Sequence, residues 1–522
     1  MNQLIKKYHI KNDELSKNVV IICCPWLFQN QVEFKSQNLG LAYVGNFIKE
    51  CGHNILKYID PMMFGGEDVK QKIECNNYNI YRFGHGDEWI IDKIPDNVDY
   101  IFINAPFTDS RLALYPLCNK IKKVMPHIRI VIGGILATSS PLEVIRNCGI
   151  DIVVKGEGEI ASARILREDN LSEIPGIAYK IGIDVVENDG LAEKVYDINC
   201  LPGLSDVSFI PIGEYIKWSP RGNRADITLS YITSRGCPFS CNFCSVPTNK
   251  QALRELDTDR VIHEIDFFID EYKINHLEIE DDNFTFNHDH SRPIVNHIAE
   301  LRENGVDISL SFPNGVMIYS LDKDDILGFK KAGVEIVYLP VESGDIKNLI
   351  LMNKPYAFEH LDKSLEVARW CKEVGIESGA FFIIGYPGGR VKSFKYRDFI
   401  LSHYKNDIID YNDDSLLVMG EDQKSFEKTF QFMKKIKAQG VSFITPLIAT
   451  PYPSTNLYNV CSENSWFRHE DDINRIVTIS YQDLKEEFIN ISTPWCSNSD
   501  IYDRWQMVRD NFDIKNNVIK EK

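Results

Sequence analysis

The sequence predicts an α/β protein in which a doubly wound parallel sheet precedes a partial (β/α)6 barrel of the TIM type and a small, mainly helical C-terminal region. Three observations carry this prediction. Strand and helix patterns alternate over residues 18–180, they alternate again over residues 226–460, and the stretch between them is rich in Pro and Gly with little periodicity. We therefore predict a Rossmann-like domain at 1–180, a connector at 181–225, a barrel at 226–460 and a helical region at 461–522.

Composition limits the class of protein. The 522 residues carry a net charge of −17, from 58 basic and 75 acidic side chains, which argues against nucleic acid as a primary partner. The N-terminus has no apolar signal core, and no stretch approaches the ~18 apolar residues of a membrane span. We therefore expect a cytoplasmic protein without a membrane span, whose scattered cysteines are free thiols in a reducing compartment.

The first run of strands has the pattern of a sheet that is buried on both faces. Several strands are unbroken Val and Ile runs, which is typical of a parallel sheet covered by helices. The predicted strands are 18–24, 54–59, 99–104, 128–132 and 151–154, and helices are predicted at 41–51, 111–124 and 142–148. Ligands of such sheets bind outside the carboxyl ends of the strands.

Glycines follow two of these strands. Gly133 and Gly134 follow the fourth strand, and Gly156 follows the fifth. Missing side chains let a large planar ligand approach the backbone closely, but glycine pairs after strands also form ordinary turns. Both interpretations remain open from these residues alone.

The second run predicts the barrel. Its strands are predicted at 227–232, 276–280, 307–312, 335–340, 379–384 and 442–447, with helices at 258–272, 292–304, 357–373 and 423–439. Six such units form a barrel or three-quarters of one. The chemistry of α/β barrels lies on the loops that follow the strands.

Three cysteines lie on the loop after the first of these strands. Cys237, Cys241 and Cys244 have the spacing C-x3-C-x2-C. Four-iron clusters are normally held by cysteine thiolates, so three thiolates would leave one iron open for a substrate or cofactor. The alternative is a structural zinc site, which normally needs four protein ligands, and no nearby Cys or His supplies the fourth.

The barrel and its cysteine motif resemble the radical S-adenosylmethionine (SAM) superfamily. Phe243 matches the family's aromatic residue near the SAM adenine, and the acidic segment 280–282 is similar to the contact with the methionine amino group. Segment 341–344 resembles the contact with ribose and carboxylate, and segment 383–389 resembles the motif that supports the adenine. The resemblance thus assigns SAM to Phe243, Glu280, Asp281, Asp282, Glu342, Ser343 and Gly385. Carboxylates suit an ammonium group, although an acidic segment after a strand also serves as a helix cap or turn.

One part of the barrel departs from the family pattern. The family usually has a glutamate after the Pro-Gly of the fifth-strand motif, where this chain has Gly389. Residues 390–419 then look inserted before Gly420, which makes Glu421 the candidate for the role of that glutamate.

The first third of the chain resembles the cobalamin-binding domain that precedes many radical SAM enzymes, on segments 38–43, 132–138 and 154–159. The resemblance assigns cobalamin to Leu39, Gly40, Thr108, Ser110, Gly133, Gly134, Thr138, Gly156 and Glu157. The cobalt-ligating histidine of the D-x-H-x-x-G motif is absent, and no Asp-x-His triple occurs in the chain. A domain that keeps the fold without the cofactor therefore stays open.

The resemblance implies a function and its cofactors, a [4Fe-4S] cluster, SAM and cobalamin. In the family the reduced cluster cleaves SAM to methionine and a 5′-deoxyadenosyl radical. We predict a C-methyltransferase that acts on an unactivated carbon of a natural-product or lipid-like small molecule. The alternatives are a cyclase or rearrangement enzyme without methyl transfer, and a non-catalytic cobalamin or redox sensor. Flavodoxin or ferredoxin is the expected reductant, because no second cluster motif is present.

The C-terminal region matches no functional motif. Helical patterns are predicted at 480–489 and 501–511. Trp466, Trp495 and Trp505 suit either a substrate pocket or the packing of a small domain against the barrel.

Overall fold

The structure is a computed structural model that describes residues 3–10, 15–28, 37–66, 70–75, 78–147, 149–216, 227–246, 252–412, 414–469 and 484–512. The chain forms two compact units. The first is built from Met1–Pro220 and includes His263–Lys273, and the second is built from Arg221–Ile262, Ile274–Ile476 and Tyr481–Lys522. The domain boundaries proposed at residues 180, 225 and 460 remain predictions.

The first unit contains a seven-stranded sheet and a small antiparallel sheet. Its strands are β1 (Asn18–Ile22), β2 (Trp26–Phe28), β3 (Asn54–Ile59), β4 (Lys70–Cys75), β5 (Tyr78–Phe83), β6 (Tyr100–Asn104), β7 (Arg129–Gly133), β8 (Ile152–Val154), β9 (Ile177–Ile181) and β10 (Asp184–Glu187). Its helices are α1 (Gln3–Tyr8), α2 (Leu39–Glu50), α3 (Asp87–Ile91), α4 (Arg111–Val124), α5 (Ile135–Ser139), α6 (Pro141–Arg146), α7 (Glu159–Leu166) and α8 (Ile212–Tyr215).

The large sheet confirms the doubly wound prediction. Its order is β10-β9-β8-β7-β6-β1-β3, and the strands from β8 to β3 are parallel. This is the flavodoxin-like order, in which ligands bind where the strand order reverses, here beside β1 and β6. Val20 and Ile22 pack into the core on one face of β1, while Val19 and Ile21 pack into the core on the other. The unbroken apolar run therefore reflects burial on both faces.

The antiparallel sheet β2-β5-β4 was not predicted from the sequence. Strand β2 has three residues, and most positions of β4 are polar, so neither gives a clear alternation.

The second unit holds the predicted barrel strands. Its strands are β11 (Thr228–Tyr231), β12 (Ser234–Arg235), β13 (Arg254–Glu255), β14 (His276–Ile279), β15 (Ser309–Ser311), β16 (Ile336–Glu342), β17 (Glu377–Ile384), β18 (Gly388–Val391), β19 (Ile408–Tyr411), β20 (Leu416–Met419) and β21 (Phe443–Ile448). The helices of this part of the chain are α9 (Thr258–Tyr272), α10 (His288–Glu303), α11 (Lys323–Lys331), α12 (Ile346–Leu351), α13 (His360–Val374), α14 (Phe394–His403), α15 (Gln423–Gln439), α16 (Asn456–Glu463) and α17 (Asn498–Asn511).

All six predicted barrel strands are present and parallel. They form two ladders of three strands, β11-β14-β15 and β16-β17-β21. The segment predicted as an insertion has a fold of its own, the antiparallel sheet β18-β20-β19 with helix α14.

The C-terminal region follows the prediction in part. Helix α17 confirms the pattern at 501–511. The helix predicted at 480–489 is wrong where the structure describes it, because only one 3-10 turn forms at Glu486–Phe488, and residues 480–483 lie outside the described part. Two isolated bridges follow this turn, one between Phe467 and Ile491 and one between Thr493 and Cys496.

The three tryptophans of this region pack internally. Trp466 and Trp505 are buried, and Trp466 meets Trp495 edge to face. The indole N–H of Trp495 donates to the carbonyl of Pro387 at 3.1 Å. Across the described residues, every helix is too short or too polar to cross a membrane.

Candidate active site

The cysteine loop begins where strand β12 ends. Cys237, Cys241 and Cys244 are free and half-buried. Burial raises the pKa of all three thiols, to about 11 for Cys241 and about 12 for Cys244. These thiols are therefore protonated at neutral pH, and a bound metal must supply the positive charge that makes them thiolates.

The number of ligands favours a cluster over a single zinc ion. The loop offers three free thiols, Cys237, Cys241 and Cys244. Structural zinc normally takes four protein ligands, whereas the thiolates of a four-iron cluster bind different iron atoms.

Asn242 fixes the loop between the second and third cysteines. Its backbone N–H donates to the carbonyl of Met352 at 2.8 Å, and its side-chain amide donates to the carbonyl of Leu351 at 2.7 Å. Its own carbonyl accepts the N–H of Leu457 at 2.8 Å. The loop is thus tied to the end of α12 and the start of α16.

The three acidic residues that follow β14 have different surroundings. Asp281 is buried, and its carboxylate accepts the N–H of Thr233 at 2.7 Å and the hydroxyls of Thr233 and Ser234, each at 2.6 Å. Burial raises the pKa of Asp281 to about 6, while these donors oppose the shift. Asp281 therefore holds the strand that leads into the cysteine loop.

The neighbours of Asp281 are placed differently. Asp282 is exposed in part, but burial raises the pKa of its carboxyl, and a hydrogen bond from the backbone N–H of Gly236 opposes the shift. Glu280 is half-buried, and Asn314 donates to its backbone carbonyl at 2.9 Å. Asn283 donates to the sulfur of Cys237 at 3.5 Å. The assignment of SAM to residues 280–282 remains a prediction.

The end of β16 and the residue that follows it are enclosed. Glu342 is buried and has a left-handed backbone with φ 68°, and the ammonium of Lys354 lies 2.9 Å from its carboxylate. Ser343 is fully buried, and its hydroxyl bonds to that of Thr429 at 3.1 Å. Phe243 is half-exposed beside Cys244. The SAM contacts of Glu342, Ser343 and Phe243 remain predictions.

Glu421 meets the fifth-strand motif, as the sequence suggested. Its carboxylate accepts the N–H of Gly385 at 2.9 Å and pairs with Arg504 of α17 at 3.2 Å. Burial raises the pKa of Glu421 to about 7, although Arg504 opposes the shift. A Cβ on Gly385 would lie 2.6 Å from Ile501, so α17 packs directly on this motif. The SAM contact of Gly385 remains a prediction.

In the first unit, Thr138 joins the two glycine segments at the carboxyl edge of the sheet. Its hydroxyl donates to the carbonyl of Gly134 and accepts the N–H of Gly156, both at 2.9 Å. Gly134 has φ 98° and Gly156 has φ 94°, conformations that favour glycine. The structure thus brings together three of the residues assigned to cobalamin.

The other residues assigned to cobalamin lie on neighbouring elements. Thr108 and Ser110 form a buried 3-10 turn after β6, Leu39 and Gly40 open α2, and Glu157 follows Gly156. Each assignment remains a prediction.

The surface at this edge fits a large planar ligand. A Cβ on Gly133 would meet nothing within 4 Å. Phe107 and Ile135, which follow β6 and β7, are 47% and 46% exposed. Open space beside exposed apolar side chains suits the partly apolar surface of a corrin ring.

Four supporting residues escaped the sequence analysis: Asn242, Asn283, Lys354 and Arg504. The only signal in the sequence was for Lys354, a single charge at the end of the apolar run 349–352.

Comparison with known families agrees with both units. The family model for the B12 binding domain matches residues 27–166, and the model for the radical SAM superfamily matches residues 231–396. The chain therefore carries a domain of the radical SAM superfamily. Its B12-binding domain precedes its radical SAM domain, so the predicted cofactors, a [4Fe-4S] cluster, SAM and cobalamin, are confirmed.

Relatives and solved structures share this arrangement. The chain is 27% identical to an uncharacterized methyltransferase of Pyrococcus horikoshii over 82% of this chain and 79% of that protein. It is 26% identical to the anaerobic magnesium-protoporphyrin IX monomethyl ester cyclase of Cereibacter sphaeroides over 66% of this chain and 53% of that protein. The fold resembles that of the radical SAM methyltransferase TsrM from Kitasatospora setae, with a TM-score of 0.62 at 14% identity, covering 87% of this chain and 77% of that one.

Proposed function

We propose that this radical SAM enzyme is a cobalamin-dependent C-methyltransferase that acts on an unactivated carbon of a small molecule. The observation that carries the proposal is the presence, in one chain, of a three-cysteine loop and a B12-binding domain with open space at Gly133. The relative from Pyrococcus horikoshii, which is named a methyltransferase, aligns over both domains and supports the same class of reaction.

The chain's own residues bind and orient the cofactors. Cys237, Cys241 and Cys244 would hold three irons and leave the fourth to SAM. The exposed carboxylate of Asp282 suits the ammonium of SAM, and the edge formed by Gly134 and Thr138 suits cobalamin. When bound, these cofactors supply the radical and the methyl group, while the protein positions them and excludes side reactions.

An isotope experiment tests methyl transfer. The purified chain is reconstituted anaerobically with iron, sulfide and cobalamin, and is incubated with dithionite and SAM that carries a trideuterated methyl group. Candidate metabolites are then examined by mass spectrometry. We expect one product that gains a methyl group with the deuterium label. A modified product without the label would contradict methyl transfer.

A second reaction class has one specific observation in its favour. The relative from Cereibacter sphaeroides is named a cyclase, and it aligns with two thirds of this chain. A cyclase or rearrangement enzyme would consume SAM and change its substrate without gaining the label. The isotope experiment therefore separates the two classes.

Two further expectations belong to this proposal. An external one-electron donor, a flavodoxin or a ferredoxin, reduces the cluster, because no second cluster motif is visible in the sequence. A non-catalytic sensor would bind cobalamin but would release no 5′-deoxyadenosine from SAM under dithionite, which distinguishes it from either enzyme.

A further inference from the structure

A buried ion pair lies beside the cysteine loop. Lys354 and Glu342 are joined across 2.9 Å, and their side chains are only 10% and 8% exposed. Burial alone would lower the pKa of Lys354, but the carboxylate of Glu342 raises it, and the pKa lies above its ordinary value. The ammonium is therefore charged in the folded protein.

The chain around Lys354 is fastened to the loop. Asn353 donates to the carbonyl of Ser240 at 2.8 Å and to its hydroxyl at 3.0 Å. Met352 accepts the N–H of Asn242 at 2.8 Å. Lys354 directly follows Asn353. Its position relative to the cysteines is therefore set by the hydrogen bonds to Ser240 and Asn242, which lie on either side of Cys241.

The ion pair lies close to the second cysteine of the loop. The two residues before Lys354, Met352 and Asn353, are hydrogen-bonded to Asn242 and Ser240, the two neighbours of Cys241. The side chain of Lys354 is largely excluded from water, so its charge is weakly screened at this part of the loop.

The backbone of Glu342 is strained where it forms this pair. Its φ of 68° is a left-handed conformation that few non-glycine residues adopt, at the very end of β16. Such conformations persist only where the surrounding structure holds them, and they cluster at functional sites. The pair is therefore a fixed feature of the loop's surroundings.

We propose that the Glu342–Lys354 pair sets the reduction potential of the cluster held by Cys237, Cys241 and Cys244. On reduction the cluster accepts one electron from an external donor and gains one negative charge, and no protein bond breaks. A buried cation nearby stabilises that added charge, because charges interact strongly where water is excluded. Lys354 therefore makes the cluster easier to reduce, and Glu342 limits the effect.

The test is a redox titration of the reconstituted full chain without SAM or substrate, followed by electron paramagnetic resonance. We expect Lys354→Met to make reduction about tenfold less favourable, a shift of about 59 mV to more negative potential for one electron. Glu342→Gln is expected to shift the potential in the positive direction. Because no substrate is present, the result does not depend on whether methyl transfer is the reaction.

Helix α12 offers a matched control. Lys347 is also buried, and it pairs with Asp407 at 2.8 Å, but it lies near the start of α12, whereas the residues bonded to the cysteine loop lie at and after the end of this helix. Lys347→Met should leave the potential unchanged. An equal shift in both lysine variants would show that any buried charge on this helix has the same effect, and would overturn the proposal.

Two further measurements keep the test decisive. If Lys354→Met loads little iron, Glu342→Gln carries the test by itself, because it leaves the positive charge of Lys354 without its partner. A potential of Glu342→Gln that equals that of the wild type overturns the proposal. Weaker SAM binding by Lys354→Met with an unchanged potential would also overturn it, because Lys354 would then be a SAM contact.

Discussion

The carboxylate of Glu421 accepts a hydrogen bond from the backbone N–H of Gly385 at 2.9 Å, although 36 residues separate the two in sequence. The antiparallel sheet β18-β20-β19 occupies most of the intervening chain and returns it to the end of β17. The N–H of Gly420 donates to the carbonyl of Pro387 at 3.1 Å, which closes this excursion. An acidic residue therefore supports the fifth-strand motif from beyond the insertion.

The pair of Glu421 and Arg504 should be coupled in stability. Glu421→Gln leaves a buried guanidinium without its countercharge, and we expect a loss of about 3 kcal/mol in the free energy of unfolding. Arg504→Met should have a similar effect, and the double variant should lose less than the sum of the two. Urea unfolding of all three variants measures this, and strictly additive losses would contradict the coupling.

Substitution of Asp281 should weaken cluster binding, whereas substitution of Asp282 should weaken SAM binding. Asp281→Asn replaces an acceptor of three hydrogen bonds with a group that also donates, which should weaken the support of the cysteine loop by about 2 kcal/mol. We expect less iron to remain after gel filtration. The matched control is Asp282→Asn at the exposed neighbour, which should keep its iron and bind SAM more weakly. Full iron retention by Asp281→Asn would refute the role given to this side chain.

A larger side chain at Gly133 should weaken cobalamin binding without disturbing the fold. The structure has open space around Gly133, so Gly133→Val should fold normally, keep its iron and bind cobalamin at least about tenfold more weakly, or about 1.4 kcal/mol. Gly134→Val is a different test, because this variant should strain the fold itself. Gly134 has a φ of 98°, and a Cβ on it would lie 2.7 Å from the carbonyl oxygen of Ala105. Cobalamin absorption during titration measures the affinity, and a wild-type affinity for Gly133→Val would place the ligand elsewhere.

His276 should make the protein sensitive to acid. Burial lowers the pKa of His276 to about 4, and its ring lies between the hydroxyls of Ser309 and Ser311. From pH 6.5 down to 4 the unfolded chain binds a proton that the folded chain does not, so stability falls as the pH falls, by up to about 1.4 kcal/mol per pH unit. Above pH 6.5 this contribution is constant.

Unfolding of the His276→Gln variant across this pH range tests whether His276 causes the loss of stability in acid. The stability difference between wild type and variant should narrow as the pH falls from 6.5 to 4, because the variant lacks the titrating ring. His403→Gln, at an exposed position of α14, serves as the control and should follow the wild-type curve. If the free energy of unfolding depends on pH in the same way in the wild type and in His276→Gln, this histidine is not the source of the acid sensitivity.

The cluster cysteines should be individually necessary. Replacing Cys237, Cys241 or Cys244 with Ala removes one of three iron ligands, so we expect loss of most bound iron and of 5′-deoxyadenosine release under dithionite. Cys200→Ala serves as the control, since Cys200 is also half-buried but lies in the first unit. A triple variant that still cleaves SAM would contradict the cluster assignment.

The features of this structure that could be predicted are those that leave a periodic pattern or a local motif in the sequence. The Val and Ile run of β1 indicated burial on both faces, and the spacing of the three cysteines indicated an open cluster, because both are properties of neighbouring residues. The three-residue strand β2 and the mostly polar strand β4 gave no such pattern. A helix at 480–489 is predicted from the local pattern, but its described part forms only one 3-10 turn at Glu486–Phe488, shortly before the bridge between Phe467 and Ile491.

The sequence by itself determined the two α/β units, the cysteine loop and the class of cofactors, because these depend on short-range order along the chain. Only the tertiary structure decided that Asp281 accepts hydrogen bonds from Thr233, that Asn353 bonds to Ser240 of the cysteine loop and that Arg504 pairs with Glu421. Each of these contacts joins segments that are distant in sequence. The direction of a buried polar side chain is set by the partner that satisfies it, and that partner is known only once the chain has folded.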